Sequence, residues 1–271
     1  LTAGNVLMLA LGGLIIYLGI AKKMEPILLV PIGLGVIMVN LPLTVLMVYN
    51  TDGFPVEAGT LSQLMTQVAD GQIGILNILY TYGIKTEIIP LLIFLSVGAM
   101  TDFAPAIARP ISFIFGAAAQ LGVFVVFVIA VASGLFNVNE AACVGIIGGS
   151  DGPPTIFLTS ALAPKLLGPI TLVAFSYMAL VPILQPPVIK LITTKRERAI
   201  LMKSDIREPS RLELILFPIL VFVIAALLVP SSAALVGMFM FGNLLRVSGV
   251  TDKLAKAASG SFANVLTIML G

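Results

Sequence analysis

The chain has 271 residues, 59% hydrophobic and 10% charged, with a mean hydropathy of +1.12; soluble domains carry about 25% charged residues, so a soluble globular domain is excluded. Its net charge of +2 comes from short basic clusters between apolar runs, which read as topology signals and exclude nucleic acid as a partner. With no histidine and one cysteine, Cys143, it can form neither a Ser-His-Asp triad, nor a His-ligated metal site, nor an intrachain disulfide, which leaves carboxylates, hydroxyls, tyrosine, lysine or a partner's cofactor for any chemistry.

A spanning helix needs roughly 20 apolar residues, so the chain has room for about seven or eight spans or half-spans in one bundled membrane domain. No cleavable signal is evident. Leu1 is not Met and Gly271 falls inside an apolar run, so both ends read as incomplete.

The first apolar run, residues 6–21, stops at Lys22 and Lys23, a cytoplasmic anchor. The second, 27–49, carries Pro31, Gly33, Gly35, Asn40 and Pro42, more breakers than a plain lipid-facing helix needs, and reads as bent or re-entrant. Residues 50–72 are polar, with Asp52, Glu57 and Asp70 but no Lys or Arg, and so read as an outside loop. Two short runs, 73–84 and 88–100, meet at Lys85 and Glu87, as an interrupted helix pair or a hairpin entering from one face. A full span follows at 111–132, then an interrupted stretch at 134–164, then a long run at 166–192 broken by Pro182, Pro186 and Pro187. The linker 193–213 is the most basic segment and is expected to face the cytoplasm, where it also offers a docking surface to a soluble partner. Runs 212–229 and 233–245 make a helix pair around Pro230, Ser231 and Ser232, returning to Arg246, Lys253 and Lys256 on the linker side.

From Pro110 to Pro164 the only charged residues before Pro164 are Glu140 and Asp151, both acidic. Around Asp151 the sequence reads GIIGGSDGPPTIFLTS, whose glycines and Pro153–Pro154 pair cannot sustain a continuous helix. Unwound backbone at membrane depth is tolerated only where it is buried in protein or lines a wet cavity, and in transporters such breaks surround a cation or substrate. Asp151 supplies the charge for a cation. Oxygen donors nearby are Ser150, Thr155, Thr159, Ser160, Asn137 and Asn139 by side chain and Gly148 and Gly149 by carbonyl. An aqueous turn with a solvated aspartate is the plainer reading. Against it stands the cost of Asp at a helix centre, roughly 2.5–3.5 kcal/mol, amid apolar flanks without a Lys or Arg. Asn137, Asn139 and Glu140 also read as the cap of a helix beginning at Ala141. Tyr177, one span later, anchors at the interface or reaches into the site; Gln185, Asn243 and Arg246 are secondary polar groups in apolar settings.

The chain resembles the membrane-embedded beta subunit of the sodium-pumping, biotin-dependent decarboxylases. The resemblance rests on IAKKMEPILLVPIG (20–33), LIFLSVGAMTDFAP (92–105), NVNEAACVGIIGGSDGPPTIFLTS (137–160), SYMALVPILQPPVIKLITT (176–194) and GNLLRVSGVTDKL (242–254). It implies an all-α polytopic protein of the inner membrane, a transporter-like inverted-repeat bundle with discontinuous helices. On that pattern 1–192 is the first membrane half with its broken-helix site at 134–164, 193–213 the cytoplasmic linker, and 214–271 the start of a second half. The resemblance implies decarboxylation of carboxybiotin coupled to Na+ export. It also implies Asp151 and Tyr177 as catalytic and coupling residues, and Asp151, with Gly149, Ser150, Asn137 and Asn139 about it, as the Na+ site. The partners implied are an alpha subunit with carboxyltransferase and biotin functions, gamma or equivalent small subunits, a biotinyl carrier domain and membrane lipids. No second interrupted motif of the family appears before Gly271, and no biotin-attachment stretch of the Ala-Met-Lys-Met kind is present. A stand-alone sodium-coupled transporter of an organic anion and a non-catalytic membrane scaffold are the competing classes.

Overall fold

A computed structural model describes residues 3–24, 26–41, 45–51, 55–149, 152–201 and 207–270. Among these, helices carry the fold, and the one isolated bridge joins Tyr49 and Pro55. Helix α1 (Ala3–Ala21) and helix α2 (Pro26–Asn40) form an antiparallel pair around Lys23, which takes a left-handed φ of 54°. Their backbones meet at two glycines: a Cβ on Gly12 would lie 2.9 Å from the Gly33 carbonyl oxygen, and one on Gly33 would lie 2.8 Å from that of Gly12. Small residues permit this approach, which supplies van der Waals packing where lipid removes the hydrophobic drive. The apolar run predicted over 27–49 is helical only as far as Asn40; the described part beyond it, 45–51, is a loop that folds back so that Val56 N–H donates to the Val48 carbonyl (2.8 Å).

The polar segment after this loop contains the short helix α3 (Leu61–Ala69). Helix α4 (Ile75–Leu79) runs into a π-helical turn, Tyr80–Lys85, and α5 (Ile88–Met100) leaves at 59° after Glu87, whose φ is 62°. The two short runs are thus an interrupted helix pair, since a hairpin would reverse direction. Asn77 fixes the start of α4. It is fully buried, donates to the Val48 and Val56 carbonyls (2.8 and 2.7 Å), and accepts from the Val48 and Gly74 amides (2.8 and 2.9 Å), so all its hydrogen-bonding capacity is used. A Glu57–Lys85 ion pair ties the same loop to the π turn.

After α6 (Ala104–Ala108), helix α7 (Ser112–Ala132) crosses the molecule and stops at Gly134, whose φ of 68° suits a residue without a side chain. Two short helices, α8 (Val138–Ile146) and α9 (Gly152–Leu162), lead to the 26-residue α10 (Leu167–Ile192). The linker holds one helical turn, α11 (Lys195–Arg198), and residues 202–206 lie outside the described residues. Helices α12 (Arg211–Leu228) and α13 (Ala233–Val247) pair around a 3-10 turn at Pro230–Ser232, as the sequence suggested. Then α14 (Asp252–Ala257), a second π-helical turn at Ala258–Phe262 and α15 (Ala263–Leu270) form another interrupted helix, with Gly260 at φ −111°, ψ −106° as its break.

The order of the first hundred residues therefore recurs: a paired hairpin of helices, then a helix interrupted by a π turn. The two units exchange partners. Helix α13 packs along α5, α15 packs along α2, and α5 and α15 meet each other through Ile89, Ile93 and Leu266. At the α5–α13 crossing a Cβ on Gly98 would lie 1.9 Å from the Phe239 carbonyl oxygen, and one on Gly242 would lie 1.9 Å from that of Leu95. Among the described residues α1, α7 and α12 are each long and apolar enough to cross a membrane, as is the bent α4–α5 pair taken together. The protein is an all-α polytopic membrane protein.

Candidate functional site

The interrupted stretch forms a two-armed hairpin. Arm α8 turns back along α7 through glycines: a Cβ on Gly145 would lie 2.9 Å from Cβ of Phe127, and one on Gly148 would lie 2.9 Å from the Gly122 carbonyl oxygen. Arm α9 returns beside α8, since Cys143 Sγ lies 3.9 Å from the Leu158 carbonyl oxygen and Cys143 packs with Ala163 and Ile170. A helix passing straight through would leave Cys143 and Leu158, fifteen positions apart, roughly 22 Å from each other. The α-helix of the first arm gives way to a 3-10 turn at Ile147–Gly149, and the second begins at Gly152 with Pro153 and Pro154 in its first turn, where the missing amide protons cost nothing. Ser150 and Asp151, between the arms in sequence, lie outside the described residues.

Each arm spans about 12 residues or fewer, roughly 18 Å at 1.5 Å per residue. A hydrocarbon core is about 30 Å thick, so a hairpin entering from one face brings its two arms together near mid-membrane. The arms join at the end of α8, whose last carbonyls carry partial negative charge, and the start of α9, whose first amides carry partial positive charge. Cation and carboxylate are both accommodated by such a junction. Tyr177 reaches it from α10: its hydroxyl donates to the Ile147 carbonyl at 2.7 Å. Its ring is half-buried.

The inner face of α9 is a buried stripe of Gly152, Thr155, Ile156 and Thr159. Thr155 and Thr159 are both fully buried, and the Thr159 hydroxyl donates to the Thr155 carbonyl (2.6 Å), leaving its oxygen lone pairs as acceptors. This face packs on α5 and on the first π turn, with Ile156 clustered with Ile32 and Leu167 beside Tyr80 and Ile84.

The candidate donors named from sequence do not all converge. Gly149 is at the junction; Asn137 and Asn139 are at the other end of α8, roughly 18 Å away along the helix. Asn137 is a helix cap: its side-chain oxygen accepts from Glu140 N–H (2.9 Å) while the Glu140 carboxylate accepts from Asn137 N–H (2.9 Å). The capping reading holds, with the helix starting at Val138 and not Ala141. Gln185 is exposed. Asn243, by contrast, is buried and donates to the Gly98 and Thr101 carbonyls (3.4 and 2.8 Å), tying α13 to the end of α5. Sequence reasoning did not anticipate the Ile147 carbonyl as Tyr177's partner, because a main-chain acceptor leaves no residue-type signal.

A family model described as Na+-transporting oxaloacetate decarboxylase beta subunit matches residues 4–271. The methylmalonyl-CoA decarboxylase subunit beta of Propionigenium modestum is 47% identical over 272 residues, covering 100% of this chain and 68% of its own length. The glutaconyl-CoA decarboxylase subunit beta of Acidaminococcus fermentans is 45% identical over 269 residues, covering 99% of this chain and 65% of its own. The oxaloacetate decarboxylase beta chain of Klebsiella pneumoniae is 40% identical over 308 residues, covering 100% of this chain and 71% of its own. The chain thus spans about two thirds of the length of the curated relatives it matches.

Proposed function

This chain belongs to the Na+-transporting oxaloacetate decarboxylase beta subunit family, and from that premise we propose that it decarboxylates carboxybiotin and couples that reaction to Na+ export, with the hairpin junction as the ion's site. The observation that carries the reading is the two-armed hairpin, whose arms meet at Gly149 and Gly152 around the sequence position of the one acidic residue in its apolar core, Asp151. The names of the relatives favour it over a stand-alone transporter of an organic anion.

In this proposal Asp151 provides the anionic ligand for Na+, Gly149 and neighbouring carbonyls at the end of α8 provide neutral oxygens, and the first amides of α9 keep the carboxylate ionised. Ser150 adds a hydroxyl. Tyr177 holds the 3-10 turn through Ile147 and so sets the positions of those carbonyls. Carboxybiotin arrives on a biotinyl carrier domain of an alpha subunit, with gamma or equivalent small subunits completing the complex in the inner membrane. Decarboxylation breaks the bond from the ureido nitrogen to the carboxylate carbon, releases CO2 and leaves that nitrogen to take up one proton from water; Asp151, ionised at rest, takes that proton when Na+ leaves and passes it on. Occupancy of the two sites is reciprocal: if carboxybiotin favours one access state, it alters Na+ affinity by the factor by which Na+ alters its own.

The test is Asp151→Asn in the full complex in vesicles, reading decarboxylation and labelled Na+ uptake together. Both are expected to fall by about two orders of magnitude, the range for loss of a positioned acid or base. Full retention of sodium-dependent decarboxylation sinks the assignment of Asp151.

A further inference from the structure

At the end of the bundle opposite the hairpin's base, α5, α13 and the second interrupted helix line an open cleft of about 430 Å³, within the ~300–1,000 Å³ of small-molecule sites. Its lining joins Ala99 and Met100 at the end of α5, Arg246 of α13, Asp252, Ala255 and Lys256 of α14, and Ser259 of the π turn. We propose that this cleft binds a small carboxylate anion arriving from the linker side, with Arg246 and Lys256 as its charge partners. Resting on the function proposed above, the inference makes that anion the carboxylated ureido ring of biotin.

Three observations carry it. The Arg246 guanidinium is held in place from behind: one amino group donates to the Met100 carbonyl, and the other lies 3.6 Å from the Asp102 carboxylate. A planar fork fixed in this way retains further N–H donors for a second acceptor, the arrangement suited to a carboxylate. Second, the break at Ala258–Phe262 contributes Ser259 to the lining, next to Gly260, which leaves helical geometry, and π breaks recur at functional sites. Third, the position is right for transmission. Helix α5 contributes Ala99 and Met100 to the cleft, and along its length it packs on arm α9 of the hairpin, so one rigid element touches both sites. The Arg211 side chain, donating 2.9 Å to the Ser248 carbonyl, ties the end of the linker to the turn that follows Arg246 in sequence. Lys256 and Asp252 share the cleft, so with Asp102 behind Arg246 its two cations stand against two carboxylates, and Lys256 is the cation with no ion pair to a carboxylate within 4.0 Å among the described residues.

Anionic lipid headgroups share the carboxylate's charge, and the experiment separates the two. Full-length subunit with its partner subunits is reconstituted in vesicles of purely zwitterionic lipid and, separately, with anionic lipid, and decarboxylation of free carboxybiotin is measured. Lys256→Gln is expected to raise KM for carboxybiotin about tenfold in both lipids, with the sodium half-saturation at saturating carboxybiotin unchanged. Ala255→Phe, which fills the cleft without removing charge, is expected to raise KM as well, and Lys253→Gln, outside the lining, to leave it alone. Arg246→Gln is expected to raise KM further, with Arg246→Lys recovering part of the loss. An unchanged KM in Lys256→Gln and Ala255→Phe, in a wild-type complex that does decarboxylate carboxybiotin, overturns the cleft and leaves the function standing. An effect seen only with anionic lipid assigns the cations to headgroups and also overturns it. A wild-type complex that cannot decarboxylate carboxybiotin overturns the function itself.

Discussion

At the scale of single residues, the hydrogen bond from Tyr177 to the Ile147 carbonyl tests whether the tyrosine positions the site or only supports the fold. Tyr177→Phe keeps the ring and removes the donor, which leaves a half-buried carbonyl beyond the end of α8 short of a partner, at a cost of about 1–3 kcal/mol. If the carbonyls there bind Na+, the sodium half-saturation rises about tenfold, one pK-like decade for ~1.4 kcal/mol, alongside a lower unfolding temperature. A lower unfolding temperature with unchanged sodium dependence makes Tyr177 purely structural. Asp151, Gly149 and Tyr177 were singled out in the sequence because a charge, a helix breaker and an amphipathic ring in apolar surroundings are each costly unless used; of these the structure describes Gly149 at the end of the first arm and Tyr177 bonded to Ile147. Asn137 and Asn139 lie at the end of α8 away from Gly149, which was not legible beforehand because an asparagine's oxygen donor is visible in sequence while its place along the helix is not. The capping pattern, Asn137 followed three residues later by Glu140, carried the correct signal.

Among the elements, helix ends follow local chemistry and were read closely; helix partners were not. Residues 112–132 and the pair around Pro230 fall where their apolar runs and turn residues put them. The breakers in the run 27–49 marked it as bent or re-entrant, but did not show where the chain goes after Asn40: residues 45–51 are held as loop by the side chain of Asn77, 29 positions after Val48. Glycine spacing gave no way to tell a lipid-facing glycine from one at a crossing, and the energetics now separate them. A methyl group on Gly98 would sit 1.9 Å from the Phe239 carbonyl oxygen, so Gly98→Ala must push α5 and α13 apart. Overpacking costs about 1–3 kcal/mol, and more where backbone has to yield, so a loss of about 3 kcal/mol is expected. Gly13→Ala meets nothing within 4 Å and is expected to be neutral or to gain up to about 1 kcal/mol from helix propensity. Thermal unfolding of the two variants in detergent checks both. Equal unfolding temperatures would show that α5 and α13 do not cross at these glycines.

For the whole molecule, the interrupted helices α4–α5 and α14–α15 share a design, and their exchange of partners makes the two units depend on each other. That relation rests on tertiary contacts, which no run of residues spells out. It also sets the number of membrane crossings. Between Ala69 and Ala199 the bent α4–α5 pair and α7 are long and apolar enough to cross, and the 26-residue α10 is taken as a third crossing, while the α8–α9 hairpin enters and leaves by the same face because Cys143 and Leu158 are neighbours. Three crossings put the two alanines on opposite sides; were α8 and α9 one broken span, four crossings would put them on the same side. Both alanines are exposed, one within the acidic loop without Lys or Arg and the other in the basic linker, so charge places the second in the cytoplasm. In a Cys143→Ser background, Ala69→Cys is expected to react with a membrane-impermeant maleimide added to intact cells, and Ala199→Cys only after permeabilisation. Labelling of both from one side would rule out the re-entrant hairpin, and with it a junction of its arms near mid-membrane. The reverse pattern would keep the hairpin but turn the molecule over, putting the cleft at Arg246 on the wrong side for a carrier from the cytoplasm.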